Sequence, residues 1–173
     1  MAFVATFAVV QPSASAETRA SWEVVTGGEV SALATNFYSA ASKRYVSAEM
    51  GYQGGDHAML RARADKVGPW EQFSLYYSDG AKAWAIRSNH NDLYVSAELG
   101  YGGGDYGMLR ARAKAIGPWE KYDLLYNSAE KRHALRSQAN DRYVSVEMGY
   151  QGGDHAMLRA RATELGPWEK FII

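Results

Sequence analysis

The feature that most constrains this chain is a block of residues that occurs three times. Each copy contains a Tyr-Val-Ser stretch, a glycine-rich segment, an Arg-Ala-Arg motif and a Gly-Pro-Trp-Glu motif. Residues 45–73 and 143–171 are identical at 24 of 29 positions, and successive copies begin 49 residues apart. A fixed period of this length indicates repeated supersecondary units. We assign residues 27–173 to one domain, with repeats of about 27–75, 76–124 and 125–173.

Each repeat contains four segments with the pattern of a short β-strand. In the second copy, Val95, Ala97 and Leu99 alternate with Tyr94, Ser96 and Glu98, which is typical of a half-buried strand. Stretches rich in Gly, Asn and Asp separate the segments and favour turns. Four strands in each of three repeats predict an all-β fold of twelve strands.

Three four-stranded units can close around a threefold axis. A propeller normally needs four or more blades. A linear solenoid would have atypical terminal repeats, whereas the third copy here is as regular as the first. The sequence therefore predicts a β-trefoil with pseudo-threefold symmetry, and a threefold β-prism is the alternative.

The repeated residues resemble those of the fascin-like β-trefoils. The first copy, RYVSAEMG…MLRARA…GPWEQF, is similar to the YV-AE…L-A-R…G-WE-F signature of that group, and the similarity extends over all three repeats. Within the group, the chain resembles bacterial carbohydrate-binding modules of secreted glycan-degrading enzymes, and also carbohydrate-binding module family 92. The resemblance implies three sites for β-1,3- or β-1,6-glucans, each with a Trp and a Glu. The chain departs from the simpler pattern in a longer loop, GYQGGDH.

The Trp-Glu motif has the chemistry of a sugar-binding site. An exposed indole offers a flat apolar surface to the C–H face of a pyranose ring, and a carboxylate accepts hydrogen bonds from vicinal hydroxyls. Alternation with Phe73 predicts that Trp70 lies on the face away from the core. The alternatives are that the indole covers the end of the barrel and that the carboxylate accepts turn amides. The candidate pairs are Trp70 and Glu71, Trp119 and Glu120, and Trp168 and Glu169.

The glycine-rich loop contains a second set of candidate residues. Glycine permits positive φ and a close approach of ligand to the backbone. Tyrosine, aspartate and histidine side chains can add an aromatic wall and polar contacts, although an Asx turn would explain the aspartate equally well. The change from His57 to Tyr106 in the second copy disfavours a metal or general-base role. The loop candidates are Tyr52, Asp56, His57, Tyr101, Asp105, Tyr106, Tyr150, Asp154 and His155.

One further acid in each repeat follows the second strand and is predicted on its outer face. These residues are Glu49, Glu98 and Glu147. In the first copy the acid would face Arg61 and Arg63 across a hairpin, which predicts a cross-strand salt bridge. A direct contact with sugar is the alternative.

Composition and motifs argue against several classes of function. The 19 Lys and Arg residues balance the 19 Asp and Glu residues, so the chain lacks the basic footprint of a nucleic-acid-binding protein. There is no cysteine, which excludes disulfides and thiolate metal sites. No Ser-His-Asp order, phosphate loop or metal motif is present. Because three equivalent shallow sites are unlike a single deep catalytic pocket, we expect no enzyme activity, no cofactor and no metal.

The first residues have the character of a targeting segment. An apolar run precedes small residues at Ala14 and Ala16, which indicates a signal peptide in residues 1–16 that lacks its basic start. The alternative is an apolar extension packed on the domain. The run is too short to span a bilayer, so we expect no membrane insertion. Residues 17–26, with a further Trp-Glu at Trp22, form an N-terminal extension that resembles a partial extra repeat.

Together these patterns predict a secreted, non-catalytic, trivalent carbohydrate-binding module or lectin. Its partner would be a polysaccharide, a β-glucan by the resemblance. The chain would act as a monomer or as part of a larger glycan-active enzyme. Two alternatives are a fascin-like actin- or filament-binding protein and a structural accessory domain of a larger secreted hydrolase.

Overall fold

The computed structural model describes residues 22–27 and 33–173. The predicted signal peptide, residues 1–16, lies outside the described residues. No helix in the described part of the chain is long and apolar enough to cross a membrane. The strands are β1 (Glu23–Val25), β2 (Leu33–Thr35), β3 (Tyr38–Ser39), β4 (Arg44–Ala48), β5 (Leu60–Ala64), β6 (Phe73–Ser78), β7 (Ala83–Ser88), β8 (Tyr94–Glu98), β9 (Met108–Ala113), β10 (Tyr122–Asn127), β11 (Arg132–Ser137), β12 (Arg142–Val146), β13 (Leu158–Ala162) and β14 (Phe171–Ile172).

The strands form one connected antiparallel sheet that closes on itself. Within the repeats, β4 pairs with β5, β8 with β9, and β12 with β13. Between repeats, β6 pairs with β7 and β10 with β11, and β14 pairs with β3 to join the last repeat to the first. This continuous pairing between consecutive repeats is the arrangement of a β-trefoil. A β-prism would instead keep its three sheets separate.

The strand register repeats from one unit to the next. The first and fourth strands of each repeat meet at Thr35 and Phe73, at Trp84 and Tyr122, and at His133 and Phe171. A β-bulge follows the first tyrosine of each second strand, at Tyr45, Tyr94 and Tyr143. Loops at corresponding positions of the three repeats are therefore held in corresponding geometry.

The described residues contain fourteen strands rather than the predicted twelve. The first strand of the first repeat is interrupted at Asn36 and Phe37, which divides it into β2 and β3. The other addition is β1, which pairs antiparallel with β10 of the second repeat. The Trp84 indole N–H donates to the Val25 carbonyl at 2.8 Å and fixes this added strand. The segment after Trp22 thus extends the edge of the second repeat.

Inward-facing side chains of the three repeats fill the barrel. Val46, Leu60 and Phe73 and their equivalents are almost completely buried. Burial of one such side chain contributes roughly 1.5–3 kcal/mol. Met59, Met108 and Met157 form a separate cluster of fully buried side chains, against which tyrosines of the glycine-rich loops pack. Contact between the repeats, such as the pairing of Met108 with Arg159, buries this cluster.

Candidate functional site

Each candidate tryptophan lies on a short 3-10 turn, which we call the Trp turn. The three Trp turns are Pro69–Glu71, Pro118–Glu120 and Pro167–Glu169. Proline at the first position suits the turn because its φ is already fixed near the required value. The indoles of Trp119 and Trp168 are 40% and 48% exposed, whereas that of Trp70 is half-buried. Trp70 lies outside the buried core, as alternation with Phe73 predicted, but a turn rather than a strand determines how the indole is presented.

The glutamate of each Trp turn stabilises the turn itself. Glu71 is 8% exposed, and its Oε2 accepts the backbone N–H of Gly68 at 2.7 Å. The same bond joins Glu120 to Gly117 at 2.8 Å and Glu169 to Gly166 at 2.7 Å. Of the two predicted roles, the structure displays the acceptance of a turn amide. This carboxylate consequently orients the backbone on which the neighbouring indole is mounted.

The second acid of each repeat is buried and forms an ion pair. Glu49 is 1% exposed, and its two carboxylate oxygens accept Nε and Nη2 of Arg63, each at 2.6 Å. The Arg63 side chain is 46% exposed, and its hydrogen bond to Glu49 raises the pKa of the guanidinium. The predicted salt bridge is present, but the predicted outer-face position of the acid is wrong. The equivalent pairs are Glu98 with Arg112 and Glu147 with Arg161.

In the third repeat this arginine and the tryptophan line the same open cavity. The cavity has a volume of about 430 Å³, and Trp168 and Arg161 both contribute to its wall. The remaining lining residues are Ser145, Ala162, Thr163, Glu164 and Glu169. Because the ion pair with Glu147 engages Nε and Nη2, Nη1 of Arg161 can donate to a ligand. The Trp turn and the second hairpin together therefore build a shallow site with an aromatic surface and a fixed cationic donor.

The first arginine of each Arg-Ala-Arg motif has a different partner from the one predicted. Arg61 does not pair with Glu49. Its Nε donates to the His155 carbonyl at 2.8 Å, its Nη2 donates to the Gly152 carbonyl at 3.2 Å, and its Nη1 donates to the Tyr52 hydroxyl. Arg110 binds the carbonyls of His57 and Gly54, and Arg159 binds those of Tyr106 and Gly103. Each glycine-rich loop is thus held by an arginine of another repeat, in a closed cycle.

The loop candidates lie where these inter-repeat bonds form. The Tyr52 hydroxyl donates to the Gly153 carbonyl at 3.2 Å. Gly54 has a φ of +61°, which explains a glycine at that position. Asp56 is exposed, and Nδ1 of the exposed His57 lies 2.9 Å from the Tyr52 carbonyl oxygen. Within the described ranges, no group of three or more His, Asp or Glu residues is arranged to hold a metal ion.

Two features of the sites did not follow from the sequence pattern. The first is the exposure of Arg63 and its equivalents, which were predicted as ion-pair partners and yet have nearly half of each side chain exposed. The second feature is His90, which lies between the first and second copies of the repeated block. Its ring centroid is 6.2 Å from that of Trp70, with an interplanar angle of 70°. The sequence indicates this difference between the repeats, since Ala139 occupies the position equivalent to His90 after Trp119.

Comparison with known proteins supports the fold at low sequence identity. No protein-family model and no curated protein sequence matches the chain. The designed threefold-symmetric protein ThreeFoil matches at a TM-score of 0.64 and 13% identity, covering 80% of this chain and 96% of ThreeFoil. The ricin B-like lectin of Macrolepiota procera, solved in complex with lactose, matches at 0.60 and 12%, covering 87% and 96%. A mosquitocidal holotoxin matches at 0.68 and 9%, covering 83% of this chain but 17% of the toxin. These likenesses establish a β-trefoil fold.

Proposed function

We propose that this protein is a non-catalytic glycan-binding module with three sites, one at each Trp turn. The observation that supports the proposal most strongly is the cavity in which Trp168 and Arg161 meet. The same residue types recur at the other two Trp turns, as Trp70 with Arg63 and Trp119 with Arg112. A flat aromatic surface beside a few fixed polar groups is the usual composition of a sugar-binding site.

The proposed mechanism assigns separate tasks to the aromatic and the charged groups. The indole stacks on the C–H face of a pyranose ring, and the contact removes apolar surface of both partners from water. Nη1 of the arginine donates to a sugar hydroxyl oxygen. Because the buried glutamate already holds the guanidinium through two bonds, the arginine loses little additional side-chain entropy when ligand binds. The two glutamates of each repeat act as positioning residues.

The charges around the site favour a neutral ligand. Arg161 is surrounded by Glu147 and Glu169, both buried, and Glu164 also lines the cavity. Negative charge therefore exceeds positive charge at this site, and a uronate or sulfate group would be repelled. We infer that the third site takes a neutral polysaccharide, and the resemblance to carbohydrate-binding modules points to a β-glucan outside the cell.

Multivalency gives such sites their combined strength. A shallow site of this kind binds a single sugar weakly. Sites on one rigid scaffold gain affinity for a polymer through effective concentration, by factors of about 10²–10⁴ when the geometry permits simultaneous engagement. The structural neighbours include a lectin in complex with lactose, which is consistent with a β-trefoil presenting sugar sites.

The test is affinity gel electrophoresis and pull-down against soluble and insoluble polysaccharides. The panel contains neutral β-1,3- and β-1,6-glucans, a galactan and an acidic polysaccharide such as alginate. Wild-type protein is compared with the triple variant Trp70→Ala, Trp119→Ala, Trp168→Ala. Retention of the wild type by a neutral glycan, with loss in the triple variant, is the expected result.

Two matched variants separate the proposed site from other exposed groups. Leu33→Ala removes an exposed apolar side chain that is 54% accessible and lies on β2, so retention should not change. Tyr106→Ala removes the exposed aromatic ring of the second glycine-rich loop and should also leave retention unchanged. Equal retention of the wild type and a folded triple variant would eliminate the proposal.

A further inference from the structure

The three sites differ in one residue that the repeat does not preserve. His90 of the second repeat lies beside Trp70 of the first, with ring centroids 6.2 Å apart. The corresponding position holds Ala139 next to the second Trp turn and Ala41 next to the third. These alanines have no ring with which to cover an indole.

The backbone supports the equivalence of these three positions. Asn89, immediately before His90, donates its N–H to the Gln72 carbonyl just after the first Trp turn. Gln138 makes the same bond to Lys121 after the second turn, and Ala40 makes it to Lys170 after the third. Residues 90, 139 and 41 therefore occupy matching places at their respective sites.

The indole of Trp70 is also placed differently from the other two. A Cβ added at Gly51, in the glycine-rich loop, would lie 3.8 Å from Cη2 of Trp70. A Cβ added at the equivalent Gly100 or Gly149 would meet nothing within 4 Å. Trp70 is half-buried, while Trp119 and Trp168 are exposed. His90 and the glycine-rich loop both lie beside this half-buried indole.

We propose that His90 partly closes the first site, so that the protein binds polymeric glycan mainly through Trp119 and Trp168. This inference rests on the proposed function. A covered indole has less face to offer a pyranose, and stacking affinity falls with the contact area that is lost. His90 is a specificity-determining residue at this site, and the effective valency for an extended chain is two.

The experiment uses full-length proteins that retain one tryptophan site each. The first-site protein carries Trp119→Ala and Trp168→Ala, and the second-site protein carries Trp70→Ala and Trp168→Ala. Each is titrated by calorimetry with a soluble β-1,3-glucan oligosaccharide and with the soluble glycan that most retards the wild type. We expect the first-site protein to bind roughly three- to tenfold more weakly than the second-site protein.

Exchanging the residue at position 90 or 139 then tests whether His90 causes the weaker binding. His90→Ala in the first-site protein should strengthen binding to near that of the second-site protein. Ala139→His in the second-site protein should weaken it. Both positions lie on exposed or half-exposed turns, and circular dichroism verifies that the variants are folded.

The outcomes separate this inference from the proposed function. If the wild type binds no glycan in the panel, the proposed function fails and this inference fails with it. If the two single-site proteins bind glycan equally well, or if neither exchange alters affinity, only the inference is overturned. The inference is supported if the first-site protein binds more weakly and His90→Ala restores its affinity.

Discussion

Arg61 and His155 are 94 residues apart in sequence, yet the Arg61 Nε–H donates to the His155 backbone carbonyl at 2.8 Å. This bond joins the first repeat to the glycine-rich loop of the third. Two equivalent arginines make the same contact between the other pairs of repeats. The cycle joins the repeats beyond the strand pairing and gives the loops a structural role.

Removal of this contact should lower global stability. Arg61 is 7% exposed and donates to two carbonyls and one hydroxyl. Because hydrogen bonds from charged groups contribute about 1.5–3 kcal/mol each and are not additive, we expect Arg61→Ala to reduce the free energy of unfolding by roughly 2–4 kcal/mol. Urea-induced unfolding monitored by fluorescence measures the change.

The matched control for this prediction is Arg142→Ala. Arg142 is an exposed residue at the start of β12, and a surface substitution of this kind typically changes the free energy of unfolding by less than about 0.5 kcal/mol. Similar losses in both variants would contradict a special role of Arg61 in joining the repeats.

Loss of Glu147 and loss of Arg161 should lower the free energy of unfolding by different amounts. Glu147 is 3% exposed, whereas the Arg161 side chain is 43% exposed. Arg161→Ala leaves a buried carboxylate without its partner and should cost about 3–5 kcal/mol. Glu147→Gln leaves an arginine that water can reach, and should cost about 1–2 kcal/mol. Thermal and urea unfolding of the two variants measure the difference, and equal costs would refute it.

Much of the architecture was predictable because it depends on periodic features. The 49-residue spacing and the strand patterns predicted an all-β trefoil, which the strand pairing and the structural neighbours support. The number of strands was not predictable in the same way. The interruption at Asn36 and Phe37 and the pairing of Glu23–Val25 with β10 depend on tertiary contacts that no local pattern encodes.

Site geometry was harder to predict because it depends on which polar group is buried. Alternation placed Glu49 outside, yet a bulge after Tyr45 and the pairing with Arg63 accompany its burial. The two arginines of one Arg-Ala-Arg motif bind different partners, since Arg63 pairs with Glu49 and Arg61 extends toward another repeat. Such partners lie far apart in sequence, and a repeat pattern cannot say which copy supplies them.

A methyl group added at Gly107 should be poorly tolerated although alanine occurs at both equivalent positions. Gly107 has a φ of +77°, whereas Ala58 and Ala156 have a φ of 61°. A Cβ on Gly107 would lie 2.7 Å from the Ala160 carbonyl oxygen, a backbone atom. We expect Gly107→Ala to lower the free energy of unfolding by roughly 1–3 kcal/mol.

The reverse change at an equivalent position is the control. Ala156→Gly removes a side chain from a left-handed conformation that glycine adopts readily, while it increases the entropy of the unfolded chain. These effects oppose each other, so the free energy of unfolding should change by less than about 1 kcal/mol. A stability of Gly107→Ala equal to that of the wild type would contradict the predicted clash.

Tyr122 should make stability depend on alkaline pH. It is fully buried, its hydroxyl donates to the Val95 carbonyl at 3.2 Å, and burial raises its pKa well above the ordinary value of about 10. Above that pH the unfolded state releases this proton while the folded state retains it, so stability falls as pH rises.

Tyr122→Phe, which places the residue of the other two repeats at this position, should cost about 1 kcal/mol at pH 7–9. The difference in free energy of unfolding between Tyr122→Phe and the wild type should become smaller above about pH 10. Urea unfolding across that range measures it. Parallel pH curves for the wild type and Tyr122→Phe would refute the prediction.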